Sequence, residues 1–488
     1  MSNAPLLALA GEDRTLGARG RVYRSCLDAI LAGTLRPGDR IASSRRLAQD
    51  WRIARNTIDD ALAQLQAEGW LTRRVGDGTR VAAALPLASD EGVRVAPRPP
   101  SAFARAAVAA PSRWGRRVER QHDPAAVPRP AAFLAGMPAL DAFPLERWRR
   151  LVARRLRASG TALLGYPPAL GLPALRAAVA RHLGTTRGLA CAPEQVMICN
   201  SAMQAVELVG RVVLDRGDVV WLEDPGYPNL RAVLAASGAR IVDVPVDGEG
   251  LDVDAGLARH PRPALVVVTP ACQYPLGVEM SLARRLALLR AAEASGAWIL
   301  EDDFQSDFAH DAAPLAPIAR LDPGGRTIVV GTFSHTVFPS LRIAWCVLPW
   351  PLVAVLDAVR RQLDDHTHGL MQAVLADFID EGLLAAHLRR MKVLYAGRRS
   401  VLLDACRRRL PDAWRPARLP GGMAVALSLP ARLRDSTVVA RAAKEDVAVL
   451  PLSRYATSAR VNGLLLGYAA LDERAIRVGV GGLARALR

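Results

Sequence analysis

Six short apolar runs constrain what this chain can fold into: Val196–Cys199, Val219–Leu222, Ala239–Val244, Ala264–Val268, Trp298–Leu300 and Thr327–Val330. Each has the length of a strand rather than of a helix, and helical stretches separate several of them. That alternation predicts an α/β sheet domain beginning at about residue 131. An amphipathic helix segment is predicted over Arg176–Leu183.

At 488 residues there is room for two or three domains. Apolar residues make up 51% of the chain, enough to bury a large core. No apolar run reaches the length of a membrane span, so no membrane partner is expected. Met1–Leu16 carries acids and lacks a basic stretch ahead of an apolar one, which argues against a secretory signal. Cys26, Cys191, Cys199, Cys272, Cys346 and Cys406 are scattered without a CxxC pair. This points to the cytoplasm and away from zinc or a disulfide framework. The net charge of +17 does not locate a partner, because residues 1–84 hold 13 Arg against 9 acids. Lysine is nearly absent: Lys392 and Lys444 are the only two.

The first 84 residues have their own pattern. Val22, Cys26, Leu27, Ile30 and Leu31 follow helical spacing, and Gly33 with Arg36-Pro37-Gly38-Asp39 ends that helix. Ser43 or Ser44 can cap a second short helix carrying Leu47 and Ala48. A third runs from about Arg55 to Glu68 and closes at Gly69. Trp70–Val75 and Thr79–Val81 then alternate as strands around Gly76-Asp77-Gly78, a hairpin signal. Residues 85–130 hold Pro86, Pro97, Pro99, Pro100, Pro111, Pro124 and Pro128 without an apolar period, and read as a mostly extended linker.

Leu35–Ile41, Ser43–Ala48, Arg55–Ile58 and Leu65–Leu71 together resemble a GntR-type winged helix over residues 15–84. The departures are Ala42 for a usual Pro and Ala54 for the usual Ser, the second removing an N-cap. The resemblance implies that the third helix enters the major groove of double-stranded DNA. Arg55, Asn56 and Thr57 would reach bases or phosphates, Ser44, Arg45 and Arg46 would grip the backbone, and Arg73, Arg74 and Arg80 would belong to the wing.

Residues 131–488 resemble the fold-type I aminotransferase domain in the form found in MocR-type regulators. The resemblance rests on an ordered set: Leu164-Gly165-Tyr166, Glu223–Pro228, Thr269-Pro270, Tyr274–Gly277, Glu301–Asp303, Gly331–Thr336 with Arg342, Arg389–Met391 with Tyr395, Pro420–Met423 and Leu466–Ala469. It implies a mainly parallel sheet flanked by helices, a smaller C-terminal α+β subdomain from about residue 370, and a homodimer. The cofactor implied is pyridoxal 5′-phosphate. Asp302 matches the partner of its ring nitrogen and Tyr227 the stacking aromatic. Backbone donors at Ala202 and Met203, with Thr332, Ser334 and Arg342, match phosphate-side positions, and Tyr166 of the Leu164-Gly165-Tyr166 motif is a further cofactor-binding position.

His335 stands where the family has lysine, and imidazole is not a primary amine able to form the Schiff base. Phe304 and Cys272 replace groups that hydrogen-bond the ring oxygen, Ser201 replaces a Gly, and Leu465 replaces an Arg for the substrate carboxylate. The reading is therefore a DNA-binding transcriptional regulator whose aminotransferase-like domain senses a small-molecule effector. Pyridoxal phosphate, held without a covalent bond, or another anionic metabolite would fill the pocket. Two readings compete with it: a working aminotransferase with a fused DNA-binding domain, and a large domain that only dimerises the DNA reader.

Overall fold

The computed structural model describes residues 16–74, 78–86, 111–121, 133–308, 316–411, 414, 416 and 421–487, without the side chains of 74, 117, 120 and 121. The chain divides into two compact units, residues 1–110 and 111–488.

In the first unit, helical spacing becomes three helices, Ala18–Leu31, Ser44–Trp51 and Arg55–Ala67, followed by strands β1 (Leu71–Arg74) and β2 (Gly78–Val81). Val22, Cys26, Ile30, Leu47, Ile58, Leu62, Leu65 and Val81 close one core beneath them. Ser43 caps the second helix, its hydroxyl accepting from the Arg46 N–H at 3.4 Å. Arg52, with φ of 53°, turns the chain toward the third helix. Ala54 stands at that helix's N-cap and offers no side-chain acceptor. Gly69, with φ of +83°, supplies the left-handed turn into β1. The antiparallel pairing runs from Leu71 opposite Val81 to Arg74 opposite Gly78. The Gly76-Asp77 tip of the predicted hairpin lies outside the described residues.

In the second unit, each predicted apolar run is a strand. β3 (Val196–Cys199), β4 (Val219–Asp224), β5 (Arg240–Asp247), β6 (Gly250–Leu251), β7 (Leu265–Val268), β8 (Trp298–Asp302), β9 (Thr327–Thr332) and β10 (Ala344–Val347) form one sheet. Its order is β3-β10-β9-β8-β7-β4-β5-β6. Strands β5, β4, β7, β8 and β9 are parallel to their neighbours in that run, whereas β10 is antiparallel to both β9 and β3. Every residue of β3, β4, β7 and β10 is buried. Burial on both faces is why these strands read as continuous apolar runs rather than alternating ones. Gly331 is required where β9 meets β10, since a Cβ there would lie 2.2 Å from the Trp345 ring. A second, antiparallel sheet has the order β11-β13-β12, from Ala424–Ser428 (β11), Leu450–Pro451 (β12) and Gly463–Gly467 (β13). The helices Leu383–Arg409 and Glu473–Ala486 pack together beside it.

One expectation is corrected. The linker read as mostly extended contains a helix, Arg113–Gln121. Ser112 starts it, its hydroxyl accepting from the Gly115 N–H at 3.0 Å, and the Trp114 indole N–H donates to the Ala232 carbonyl at 3.3 Å. A local cap and one tertiary contact outweigh a composition poor in apolar period.

Because Ala54 leaves the N-terminal amides of the Arg55–Ala67 helix without a side-chain acceptor, Ala54→Ser is expected to stabilise that helix by about 1 kcal/mol. Hydrogen exchange of its amides in the full chain should slow by about five- to tenfold, with exchange in the second unit unchanged.

Candidate functional site

Two surfaces carry polar groups in functional arrangements, one in each unit. In the first unit, the start of the third helix presents Arg55 and Asn56 to solvent, with Thr57 half-buried beside them. Arg55 pairs along its own helix with Asp59 at 3.5 Å, and Arg46 with Asp50 at 3.7 Å. Both pairs are exposed and weak, so phosphates can displace them at small cost. Arg45 and Arg73 are exposed and Ser44 is half-buried. Arg80 donates to the Gly38 carbonyl at 3.0 Å, which ties β2 to the turn before the second helix. The side chain of Arg74 is not described. Arg40, which the sequence reading passed over as a contact, is exposed and its guanidinium lies against Gly78 on the wing.

In the second unit, the C-terminal ends of β8 and β9 and the start of the helix Ala202–Val213 converge on a cavity of about 330 Å3. Ala202, Met203, Tyr227, Asp302, Thr332, Ser334 and His335 line it, together with Ala135, Gly136, Ser201, Thr269, Tyr274, Phe304 and Gln305. The opening at the carboxyl edge of a parallel sheet is where such folds place ligands. Ser201 caps the helix, its hydroxyl accepting from the Gln204 N–H at 3.1 Å, while the Gln204 side chain accepts from Asn200 N–H at 2.7 Å. The N–H groups of Ala202 and Met203 remain at the positive end of a 12-residue helix. The Gln204 amide donates to Asp364, which also receives the buried Arg360 guanidinium.

Aromatic rings line one wall. Tyr274 meets Tyr227, Phe304 and Tyr455 edge-on at centroid distances of 5.6, 5.7 and 5.2 Å, and Phe304 meets His335 at 6.0 Å. Burial pushes the His335 imidazole down to about 4, so it is neutral at pH 7. Its Nδ1 is buried and makes no hydrogen bond. Asp302 is the converse: burial first, then the charges of Asp303 and Glu223, push its carboxyl up to about 7. Its Oδ1 is also buried without a partner. A carboxyl in this state awaits a donor.

Two positions singled out in the sequence lie elsewhere. Arg342 is exposed, ends the turn Pro339–Leu341 with φ of 54°, and does not line the cavity. Tyr166 is 86% exposed, with its ring edge-on to His366. Lys392 and Lys444 are both exposed and neither reaches the cavity.

The sequence reading missed what Glu223 and Asp224 do. Glu223 accepts from the Thr269 N–H and hydroxyl and from the Gln273 amide at 3.1, 2.5 and 3.2 Å. Asp224 accepts from the N–H groups of Thr457, Ser458 and Ala459, each at 2.8 Å, and from the Ser458 hydroxyl at 2.6 Å. Their adjacency at a strand end was the available signal.

Glu223, Glu301 and Asp302 all rise to about 7, with desolvation the largest cause. The folded chain therefore holds protons that the unfolded chain has released between about pH 4 and 7, and stability falls as pH rises through that window. Asp302→Asn removes one of these groups, so its urea midpoint is expected to fall less than that of the parent between pH 5 and 8.

Residues 18–81 match the gntR family of bacterial regulatory proteins, and residues 135–481 match aminotransferase class I and II. The probable rhizopine catabolism regulatory protein MocR of Rhizobium meliloti is 38% identical over 95% of this chain and 92% of its own. The HTH-type transcriptional regulator TauR of Rhodobacter capsulatus is 35% identical over 96% of each. Among solved structures, LysN, the α-aminoadipate aminotransferase of Thermus thermophilus, superposes with a TM-score of 0.68 at 32% identity, over 77% of this chain and 94% of that one. A gntR-family unit and an aminotransferase-like unit thus share one chain, and the chain belongs to the MocR-type regulators of the GntR family.

Proposed function

We propose that this transcriptional regulator reads operator DNA through its first unit and senses pyridoxal 5′-phosphate, held without a covalent bond, through its second. The observation that carries the reading is a cavity with donors for a phosphate and an unpartnered carboxyl for a ring nitrogen, but no amine among the described residues. The Ala202 and Met203 N–H groups, with Thr332 and Ser334, would hold the phosphate. Tyr227 would lie against the ring and Asp302 would receive the ring N–H. When bound to a lysine, this vitamer supplies an electron sink for amino-acid chemistry. His335 takes the lysine's place in this reading, leaving the chain to bind and report rather than turn over. Phe304 adds no hydroxyl toward the ring, and burial keeps His335 neutral. The protein acts in the cytoplasm as a homodimer that reads paired half-sites.

Two measurements test this reading. Electrophoretic shift on the DNA upstream of its own gene should show binding at low salt that weakens steeply as salt rises. Arg55→Ala should weaken it by about tenfold or more. Absence of binding at low salt would sink the DNA half of the proposal.

The second measurement addresses the vitamer. Purified protein should bind pyridoxal phosphate, seen by absorbance, and release it after borohydride and denaturation with no mass added to the chain. His335→Lys should instead retain a reduced adduct at residue 335. An adduct on Lys392 or Lys444 of the parent protein would overturn the noncovalent assignment.

A further inference from the structure

The helix Arg113–Gln121 belongs to the second unit and takes no part in lining its cavity. Its 9 residues include Arg113, Arg116, Arg117 and Arg120 against a single acid, Glu119. With about 3.6 residues per turn, those four arginine positions share one arc of about 100°. Positions 114, 115 and 118, which are Trp, Gly and Val, share the opposite arc.

The helix is seated by the second arc. The Trp114 indole N–H donates to the Ala232 carbonyl at 3.3 Å, and Gly115 and Val118 are half-buried. The Ser112 hydroxyl caps its start through the Gly115 N–H at 3.0 Å. On the first arc, Arg113 and Arg116 are exposed. Arg116 donates to the Pro111 carbonyl at 2.5 Å, within its own turn. Neither makes an ion pair among the described residues.

This placement of charge works against the helix that carries it. Like charges at i, i+3 and i+4 repel, and arginine in a first turn opposes the helix dipole. A bound polyanion relieves both. A membrane surface does not suit the helix, because a helix lying on lipid inserts its apolar face, and here the second unit covers that face. Duplex DNA does suit it, and the first unit brings DNA near. From residue 86 to residue 111 the chain spans at most about 85 Å, the length of about 25 base pairs.

We infer that the arginine arc of the helix Arg113–Gln121 grips the phosphate backbone of the operator outside the stretch read by the winged helix. The inference rests on the DNA-reading function of the first unit. The four positions extend over about 10 Å of helix axis, long enough to meet several phosphates of a duplex. Guanidinium forks bind phosphate oxygens in pairs. Such contacts add affinity and fix register without reading sequence.

The test uses the full-length protein and a fluorescent duplex of about 80 base pairs from upstream of its own gene, long enough to include that reach on both sides. Anisotropy titrations over a series of salt concentrations give the slope of log affinity against log salt. Changing Arg113→Gln, Arg116→Gln, Arg117→Gln and Arg120→Gln together should make that slope shallower by about 3 per chain and weaken binding at low salt by about tenfold or more. Changing the same four to Lys should keep most of the slope, which separates lost charge from lost structure. An unchanged slope in the Gln variant, or equal losses in the Gln and Lys variants, overturns the contact and leaves the DNA-reading function standing. An unchanged slope together with binding to phosphatidylglycerol vesicles that the Gln variant loses would assign the arc to a membrane and overturn the inference. Failure of the parent protein to bind the duplex at low salt overturns both.

Discussion

Two adjacent carboxyls at the end of β4 hold the second unit's cavity together. Successive side chains of a strand point to opposite faces, so Glu223 and Asp224 reach in different directions from one backbone. Glu223 takes the loop after β7 through Thr269 and Gln273. Asp224 takes the segment 457–459, more than 230 residues away in the chain. The loop after β7 lines the cavity through Thr269 and Tyr274. Asp224 collects enough donors to lie below the usual carboxylate range, despite burial as the largest single influence. At Glu223 desolvation outweighs the donors and pushes the carboxyl up to about 7. Both are buried, and the balance between desolvation and donated hydrogen bonds divides the same side-chain chemistry into an ionised staple and a partly protonated one.

The strongly basic composition gives a poor guide to surface charge for a related reason. Arg285 and Arg360 are both 0% exposed. Arg285 donates to the carbonyls of Met280, Pro270 and Ala316 at 2.9, 3.0 and 2.7 Å, replacing strand and helix partners that the loops there lack. Arg360 binds the Ile198 carbonyl at 2.6 Å and pairs with Asp364. Asp364 also receives Gln204, so this internal ion pair helps fix the helix start that faces the cavity. Arginine suits such places because its planar donor fork can satisfy several carbonyls at once.

The parallel part of the sheet was readable because each strand is buried on both faces and leaves an unbroken apolar run. Strand β10 was hidden inside a stretch whose other residues spoke for a binding motif. Strand β13, Gly-Leu-Leu-Leu-Gly, lacks the β-branched residues that mark strands. Its Gly467 is set by a tertiary approach instead: a Cβ there would lie 2.2 Å from the Leu134 carbonyl oxygen. The same division holds at the site. Motif order brought out Tyr227, Asp302, Thr332, Ser334 and His335, which the fold does gather around one cavity. It could not bring out Gly136, Gln305 or the tyrosine pair Tyr274–Tyr455, because their proximity arises only when the second sheet closes on the first.

The electrostatics of the cavity follow from that closure. One enclosure lowers the basicity of His335 to about 4 and weakens the acidity of Asp302 to about 7. The shifts have opposite sense but the same effect: each group is driven toward its neutral form. A lysine at position 335 would meet the same desolvation and would need a bound partner to relieve it. An imidazole accepts neutrality at far smaller cost, since its ordinary value already lies near 6.5. The site thus keeps its shape and its backbone donors without a buried cation to satisfy. What charge it offers a ligand comes from the start of the helix Ala202–Val213.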